Sequence, residues 1–179
     1  STLFSYTTLF RSRNIKVVLN VNVEKIDIDN NAVHLEDNSK VGYEKLLIAT
    51  GSNPFIPPIK GKDKKGVFAL RTLNDLHEFK EYIKPLNIVT VIGGGLLGLE
   101  AAWSLKLLGK KVNVIEFAPY LLPRQLDKEL ADKLERKLND AGLKIFTNSQ
   151  AEEILGENKA TEIKLNGDRS ILTDAVLIS

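Results

Sequence analysis

The sequence predicts an α/β protein built on a parallel sheet, and three observations predict it. A strand-like apolar run, Asn87–Ile92, passes straight into a glycine turn and then a helical pattern. A second strand-like run, Lys111–Glu116, ends in an acid. A charged amphipathic helix and the short apolar strands Leu143–Phe146 and Asp174–Ile178 follow. Strand and helix periods that alternate in this way belong to a sheet with crossover helices.

The turn narrows the class. Gly93, Gly95 and Gly98 lie at G-x-G-x-x-G spacing within Gly93-Gly94-Gly95-Leu96-Leu97-Gly98. Gly93 permits the tight turn, Gly95 leaves the backbone open to a pyrophosphate, and Gly98 lets helix and strand pack closely. The helix N-terminus behind them offers N–H groups and the positive end of its dipole. Glu116 falls close to the ~20 residues at which an acid accepts hydrogen bonds from the adenosine ribose. The expected fold is therefore a Rossmann-like NAD(P)-binding domain, three-layered, with a parallel sheet plus a β-meander. An acid at this place repels a 2′-phosphate, so NADH is expected over NADPH.

Composition bounds the rest. The 179 residues are 43% hydrophobic and 27% charged with a formal net charge of +2, and no basic block points to nucleic acid or a membrane surface. No apolar run approaches the ~18 residues of a transmembrane helix. Without cysteine the chain has no disulfide framework, thiolate metal site or redox pair of its own. His34 and His77 are far apart in sequence, suggest no metal cluster, and are expected at the surface. Residues 1–12, with no clean period, read like a translated sequencing adapter and are set aside as a non-native leader.

From Asn14 the pattern is β. Ile15–Leu19, Val23–Ile28, Ala32–Glu36, Lys40–Gly42 and Leu46–Ala49 are strand-like, with turns at Asp29-Asn30-Asn31 and Asp37-Asn38-Ser39. Ser52–Lys65, rich in proline, glycine and lysine, reads as a linker. Val67–Leu70 is a strand, and Thr72 caps a helix that runs to Ile83 and is ended by Pro85. The helix of the glycine unit runs from Leu96 to Leu108, with Gly109 as its stop and Trp103 as a packing residue. Asp127 is the N-cap of the next helix, whose apolar stripe is Leu130, Leu134, Leu138 and Ala141 and whose terminator is Gly142. Its other face carries Glu129→Lys133 and Asp132→Arg136, each worth about 0.2–0.5 kcal/mol. A meander around Asn166-Gly167 precedes the last strand.

An internal repeat changes the reading. Residues 14–26 align with 142–154, with identities at Lys16/Lys144, Asn20/Asn148, Glu24/Glu152 and Ile26/Ile154. After a two-residue offset, Tyr43–Ala49 matches Thr173–Ser179. The second copy follows a complete βαβ unit and the first does not. Two related dinucleotide domains are expected, the first without its own βαβ half.

Together the residues resemble the two-dinucleotide-binding-domain flavoproteins, the pyridine nucleotide-disulfide oxidoreductase family. The resemblance runs from Arg13 to Ser179. It rests on Leu47-Ile-Ala-Thr-Gly-Ser52, Pro57-Pro-Ile-Lys-Gly61, Leu70-Arg-Thr-Leu73, Val91–Ala102 and Asp174–Ser179. Leu121-Leu-Pro-Arg-Gln-Leu-Asp127 is similar to the branch of rubredoxin reductases and nitrite reductase large subunits. Arg124 and Asp127 are nevertheless read as loop and cap residues.

The resemblance implies a FAD domain with an NAD(P)H domain inserted into it and an interface domain after it, in a cytoplasmic enzyme. Residues 13–51 would be the C-terminal half of the FAD domain and 52–179 the NADH-binding domain with its entry linker. Residues 93–98 would hold the NADH pyrophosphate and Glu116 the ribose, with Glu100 near the nicotinamide–flavin junction. The backbone of Val23 would meet the FAD adenine, and Thr50 and Gly51 would lie against FAD. The FAD glycine motif, the later Gly-Asp motif and the interface domain are missing from the sequence. A fragment is expected, unable to hold FAD stably and inactive alone. In the intact enzyme NADH would reduce FAD, and FAD a redox protein or domain such as rubredoxin or nitrite reductase. No general acid or base is identifiable. The alternatives are an NADH oxidase, peroxidase or CoA-disulfide reductase with an upstream redox cysteine, and a non-catalytic NADH-binding module. A thioredoxin-reductase-like protein would carry a cysteine pair here, which the sequence lacks.

Overall fold

The computed structural model describes residues 13–52 and 55–179, and the chain divides into two compact units, Ser1–Gly51 and Ser52–Ser179. The expected leader and the linker residues 53 and 54 lie outside the described residues. No helix among the described residues is long and apolar enough to cross a membrane.

In the first unit, β1 (Val23–Asp27), β2 (Ala32–Leu35) and β3 (Lys40–Gly42) form one antiparallel sheet in that order. Both predicted turns are present, with Asn31 and Asn38 at φ +48° and +65°, where asparagine is tolerated. The Asp27 carboxyl closes the first turn on the Asn30 amide and backbone N–H, and these bonds hold its pKa below the usual aspartate value. His34 is half-buried rather than at the surface, with Nε2 3.6 Å from the Asp27 carboxylate.

The expected strands Ile15–Leu19 and Leu46–Ala49 do not form. The repeat explains why. Their counterparts in the second unit pair in a parallel sheet, whereas in the first unit these segments have no such ladder among the described residues. A strand is defined by its partner, and an apolar run without one stays irregular.

The second unit is an α/β layer structure. Strands β4 (Val67–Ala69), β5 (Ile88–Ile92), β6 (Lys111–Ile115), β7 (Lys144–Phe146) and β11 (Ala175–Ile178) form a parallel sheet in the order β4-β11-β5-β6-β7. Helices α1 (Leu73–Ile83), α2 (Leu96–Leu107) and α3 (Lys128–Asp140) connect strands, and β8 (Ala151–Leu155), β9 (Glu162–Leu165) and β10 (Arg169–Leu172) form an antiparallel meander. Side chains alternate across the sheet. Val89, Val91, Val112, Val114, Ala175 and Leu177 share one core with Phe79, Ile83, Ala102 and Leu105 of the helices. Ile115, Val176 and Ile178 share the other with Ile154, Ile163 and Leu165 of the meander.

The predicted caps are seen. Thr72 Oγ1 accepts from Asp75 N–H at 3.1 Å while the Asp75 carboxylate accepts from Thr72 N–H at 2.7 Å, a reciprocal capping box. Asp127 accepts from Leu130 N–H at 2.9 Å. Three details of the helices differ from expectation. The fully buried residue of α3 is Ala131, and Leu130 of the expected stripe is half exposed, while Leu134, Leu138 and Ala141 are partly buried as expected. Asp132 pairs with Lys128 at 2.6 Å rather than with Arg136, because Lys128 one turn earlier reaches it first; Glu129–Lys133 forms as expected. Trp103, expected as a packing residue, is 40% exposed and lies beneath the Lys106 ammonium of the same helix, 4.6 Å from its ring.

The repeat is visible in the backbone. Asn20 and Asn148 both have positive φ, and the β1–β2 and β8–β9 pairings shift register at aligned positions, Val23/Lys25 and Ala151/Glu153. The bond from Glu36 N–H to Asn22 O has its counterpart in Asn166 N–H to Gln150 O, and that from Tyr43 N–H to Asn31 O in Thr173 N–H to Thr161 O.

The Thr72–Asp75 box carries a pH signature. Backbone N–H groups of Thr72 and then Arg71 hold the Asp75 carboxyl below its ordinary pKa. A depressed folded pKa stabilises the fold above the unfolded value, and the contribution disappears as pH falls through the folded one. Wild type should therefore be more stable than Asp75→Ala near neutrality. The difference should shrink toward acid, measured by chemical denaturation followed by circular dichroism.

Candidate functional site

The strand order places a crevice. From β5 the chain steps to β6 and β7 on one side and returns to β11 on the other, so the carboxyl ends of β5 and β11 flank a topological switch point, where open α/β sheets bind ligands. The glycine turn leaves β5 there. Gly93 has φ +122°, and a Cβ on it would strike the Ser179 carbonyl just past β11. Gly93 N–H is tied to Ile115 O at 2.8 Å, and Ser179 N–H to Ile92 O at 2.9 Å.

The other glycines separate by what surrounds them. Gly98 is buried in the first turn of α2, and a Cβ there would collide with the Gly93 carbonyl oxygen, so helix and turn touch backbone to backbone. Gly94 is buried too, with Leu121 and Glu116 where its Cβ would be. Gly95, the N-cap of α2, has an ordinary φ of −75° and nothing within 4 Å of a Cβ position. Its backbone faces open space, as it must where a ligand is to approach. Leu96 and Leu97 are exposed beside it. No side chain caps this helix, so its first N–H groups remain free for an acceptor.

Glu116 follows the last residue of β6 and is half-buried. One carboxylate oxygen accepts from Gly94 N–H at 2.6 Å and the other from Ala118 N–H at 2.7 Å. The two bonds hold the carboxylate rigidly against the glycine turn, and each oxygen retains a lone pair. Beside it opens a cavity of about 620 Å³, at the carboxyl ends of β5, β6 and β11. The linker residues Phe55, Pro57 and Pro58 form one wall and Ser149, Gln150 and Ala151 another, with Gly93, Glu116, Phe117 and Ser179 at its base.

The sequence motif thus gathers Gly93, Gly94, Gly95, Leu96, Leu97, Gly98 and Glu116 at one place. Glu100 is exposed in the second turn of α2 and is not among the cavity-lining residues, so it neither lines the cavity nor complements the first turn. Val23, Thr50 and Gly51 belong to the first unit. Val23 opens β1 half exposed, and Thr50 and Gly51 lie in exposed irregular chain, Gly51 with φ +70°. Asp127 is the helix cap, as read; Arg124 is exposed. Sequence reasoning missed Phe117, the linker wall and residues 149–151. The signal for the last was present: the repeat aligns Ala151 with Val23, the residue already assigned to an adenine.

A family model of the pyridine nucleotide-disulphide oxidoreductases matches residues 7–179. The chain belongs to this family. As a member, it is 39% identical over 170 residues to a nitrite reductase [NAD(P)H] of Bacillus subtilis (strain 168), a match covering 95% of this chain and 21% of that protein. It is 37% identical over 163 residues to an NADH oxidase of Methanocaldococcus jannaschii, covering 88% of this chain and 36% of the relative. The nitrite reductase match agrees with the branch to which Leu121–Asp127 pointed. Among solved structures, the water-forming NADH oxidase of Lactobacillus brevis bound to NADH superposes with a TM-score of 0.78 at 28% identity, over 88% of this chain and 36% of that one. Its engineered form bound to NADPH gives 0.85 at 25% identity, over 96% and 39%. The chain of this family member thus spans roughly a fifth to two-fifths of the proteins it matches.

The glycines make opposite predictions for stability. Gly98→Val forces α2 away from the turn and should cost about 2 kcal/mol, read as a lowered thermal midpoint. Gly95→Ala, whose methyl meets open space, should leave that midpoint unchanged.

Proposed function

We propose that residues 52–179 bind NADH, with its pyrophosphate on the glycine turn and its adenosine half in the cavity beside Glu116. The observation that carries this reading is the pair of bonds from Gly94 and Ala118 N–H to Glu116, which presents a fixed carboxylate at the mouth of an uncapped helix N-terminus. Gly95 supplies the open backbone over which a pyrophosphate fits. Glu116 accepts from the ribose hydroxyls and repels a 2′-phosphate, and the linker prolines with Phe117 and Ala151 shield the adenine from water.

In the longer protein, the NADH held here delivers hydride to FAD, and the first unit, with Val23, Thr50 and Gly51, forms part of the FAD domain. The support is kinship: a relative in Desulfovibrio vulgaris is described as a FAD-dependent pyridine nucleotide-disulphide oxidoreductase. The protein's own contribution is to bind and orient the nucleotide, since hydride chemistry belongs to the cofactors. We favour a redox protein or domain as final acceptor, from the similarity to nitrite reductase. An NADH oxidase is the second reading, favoured by the archaeal relative.

The binding reading is tested by titrating NADH and NADPH into the 179-residue chain. NADH should bind more tightly. Glu116→Ala should cut NADH affinity about tenfold, the loss of charged hydrogen bonds worth ~1.4 kcal/mol or more, and should relieve the discrimination against NADPH. Gly95→Ala should weaken NADH without changing stability. The engineered NADPH-binding oxidase carries five changes: glycine to alanine, acid to alanine, arginine and serine at the next two positions, and arginine for a later proline. With its glycine placed on Gly98, the others fall by spacing on Glu116, Phe117, Ala118 and Pro123. The combined change Glu116→Ala, Phe117→Arg, Ala118→Ser and Pro123→Arg should reverse the preference to NADPH. Equal affinity for both nucleotides in wild type, unaltered by Glu116→Ala, would remove Glu116 as selector.

A further inference from the structure

The Glu116 carboxylate is held by two N–H groups, and its backbone is held by the loop that leaves β7. Glu116 N–H donates to Phe146 O at 2.8 Å, and Glu116 O accepts from Ser149 N–H at 2.9 Å. Ala118 O accepts from Asn148 N–H at 2.8 Å. Both ends of residues 116–118 are thus tied to residues 146–149. Ala118 is also the residue whose N–H holds one Glu116 oxygen. Where the loop moves, Ala118 moves with it, and the carboxylate keeps only its bond from Gly94.

The loop is fixed in turn by a side chain of the meander. Ser149 is 1% exposed and lines the cavity, yet its hydroxyl is bonded to protein. Its Oγ donates to Thr147 O at 2.9 Å and accepts from Arg169 Nη2 at 3.0 Å. The single hydroxyl proton is used, so none is left to give a ligand. Arg169 opens β10, is exposed, and is not among the cavity-lining residues. Among the described residues no carboxylate forms a salt bridge with it. Its guanidinium is directed instead to Ser149 and, through Nε, to Asn166 O at 3.4 Å. A charged donor on a neutral acceptor makes one of the stronger hydrogen bonds.

The repeat isolates this contact. Both copies tie the residue before the meander to the end of its second strand by a side chain. In the first, Asn22 Nδ2 donates to Glu36 Oε2 at 2.7 Å; in the second, Gln150 N–H donates to Asn166 Oδ1 at 2.9 Å. The residue aligned with Ser149 is Val21, which has no polar side-chain atom. The bond from Arg169 to Ser149 is therefore an addition in the copy that carries Glu116.

We propose that Arg169 is a positioning residue of the nucleotide site: through Ser149 it fixes the loop on which residues 116–118 rest, and so keeps Glu116 in the geometry that separates NADH from NADPH. The role rests on Glu116 as the ribose acceptor. Arg169 touches no ligand, so its removal deletes no direct contact.

NADH and NADPH are titrated into the 179-residue chain and its variants, with circular dichroism confirming that each is folded. Arg169→Ala should weaken NADH about fivefold without weakening NADPH, and should shift the Gly94 and Ala118 amide resonances. Ser149→Ala should do the same, and the double variant should be no worse than either single one. Arg169→Lys, which can still donate to Ser149, should restore most of the preference. In a Glu116→Ala background Arg169→Ala should change neither affinity. Equal losses of NADH and NADPH affinity in Arg169→Ala would show a general structural effect and overturn the proposal. A Glu116-dependent preference that survives Arg169→Ala would overturn the positioning role alone. A wild type that does not distinguish the two nucleotides would overturn both this role and that of Glu116.

Discussion

Strand β5 is hydrogen-bonded along its length on both sides, to β11 and to β6, and this doubly paired strand is the constraint on which the second unit depends. Pairing on both edges makes β5 a fixed beam whose residues Val89 and Val91 face the helices and whose Thr90 faces the meander. A parallel strand buried on both faces must be apolar nearly throughout, which is why Ile88–Ile92 reads as a continuous run rather than an alternation. Its end is fixed with it. The Gly93 N–H is bonded to Ile115 O, and the Gly93 carbonyl stands where a side chain on Gly98 would be. The turn is therefore clamped from β6 and α2 at once, and the helix can begin only there.

The same ladder explains the difference between the two copies of the repeat. Both contain the meander with the same register shift and the same positive-φ asparagine, because those features are satisfied by local pairing and a short turn. The flanking segments behave oppositely. Lys144–Phe146 and Ala175–Ile178 are strands because β6 and β5 lie beside them, whereas 15–19 and 46–49 have equivalent apolar residues and no described ladder. Leu47 is 87% exposed, while its counterpart Leu177 is almost wholly buried. Sequence decides that such a segment can be a strand; a neighbouring strand decides that it is one.

This also separates what was legible in the sequence from what was not. The glycine turn, Glu116, the Thr72–Asp75 box and the Asp127 cap were legible because each rests on a few consecutive or periodically spaced side chains. The second half of the linker was not. Lys60 and Lys65 are joined to the meander through backbone bonds, Ile154 N–H to Lys60 O at 2.8 Å and Ala160 N–H to Lys65 O at 2.9 Å, and backbone bonds leave no trace in side-chain pattern. The wall that this linker forms at the cavity beside Glu116 was invisible for the same reason. On α3 the apolar stripe was legible at Leu134, Leu138 and Ala141 and misplaced at Leu130. Ala131 is small enough to sit directly against its neighbours, so the larger Leu130 is turned to solvent. Hydrophobic pattern finds a helix face more readily than it finds the residue at its centre.

The two ends of the sheet use one structural fact in different ways. At the carboxyl ends, strands finish in N–H groups and a helix N-terminus, and the Glu116 carboxylate is anchored there by two of the N–H groups. At the amino ends, β6 and β7 begin with lysines, and the polar pair Thr90–Asn113 lies just inside. An apolar pair of the same size at positions 90 and 113 would continue the packing of Ile115 and Val176 against the meander at no desolvation cost. Thr90 and Asn113 instead bond to one another and, through the Asn113 amide, to the Leu172 carbonyl. What this pair holds is the meander: the Asn113 amide ties β6 to the Leu172 carbonyl at the end of β10, a directional bond that packing alone would not supply.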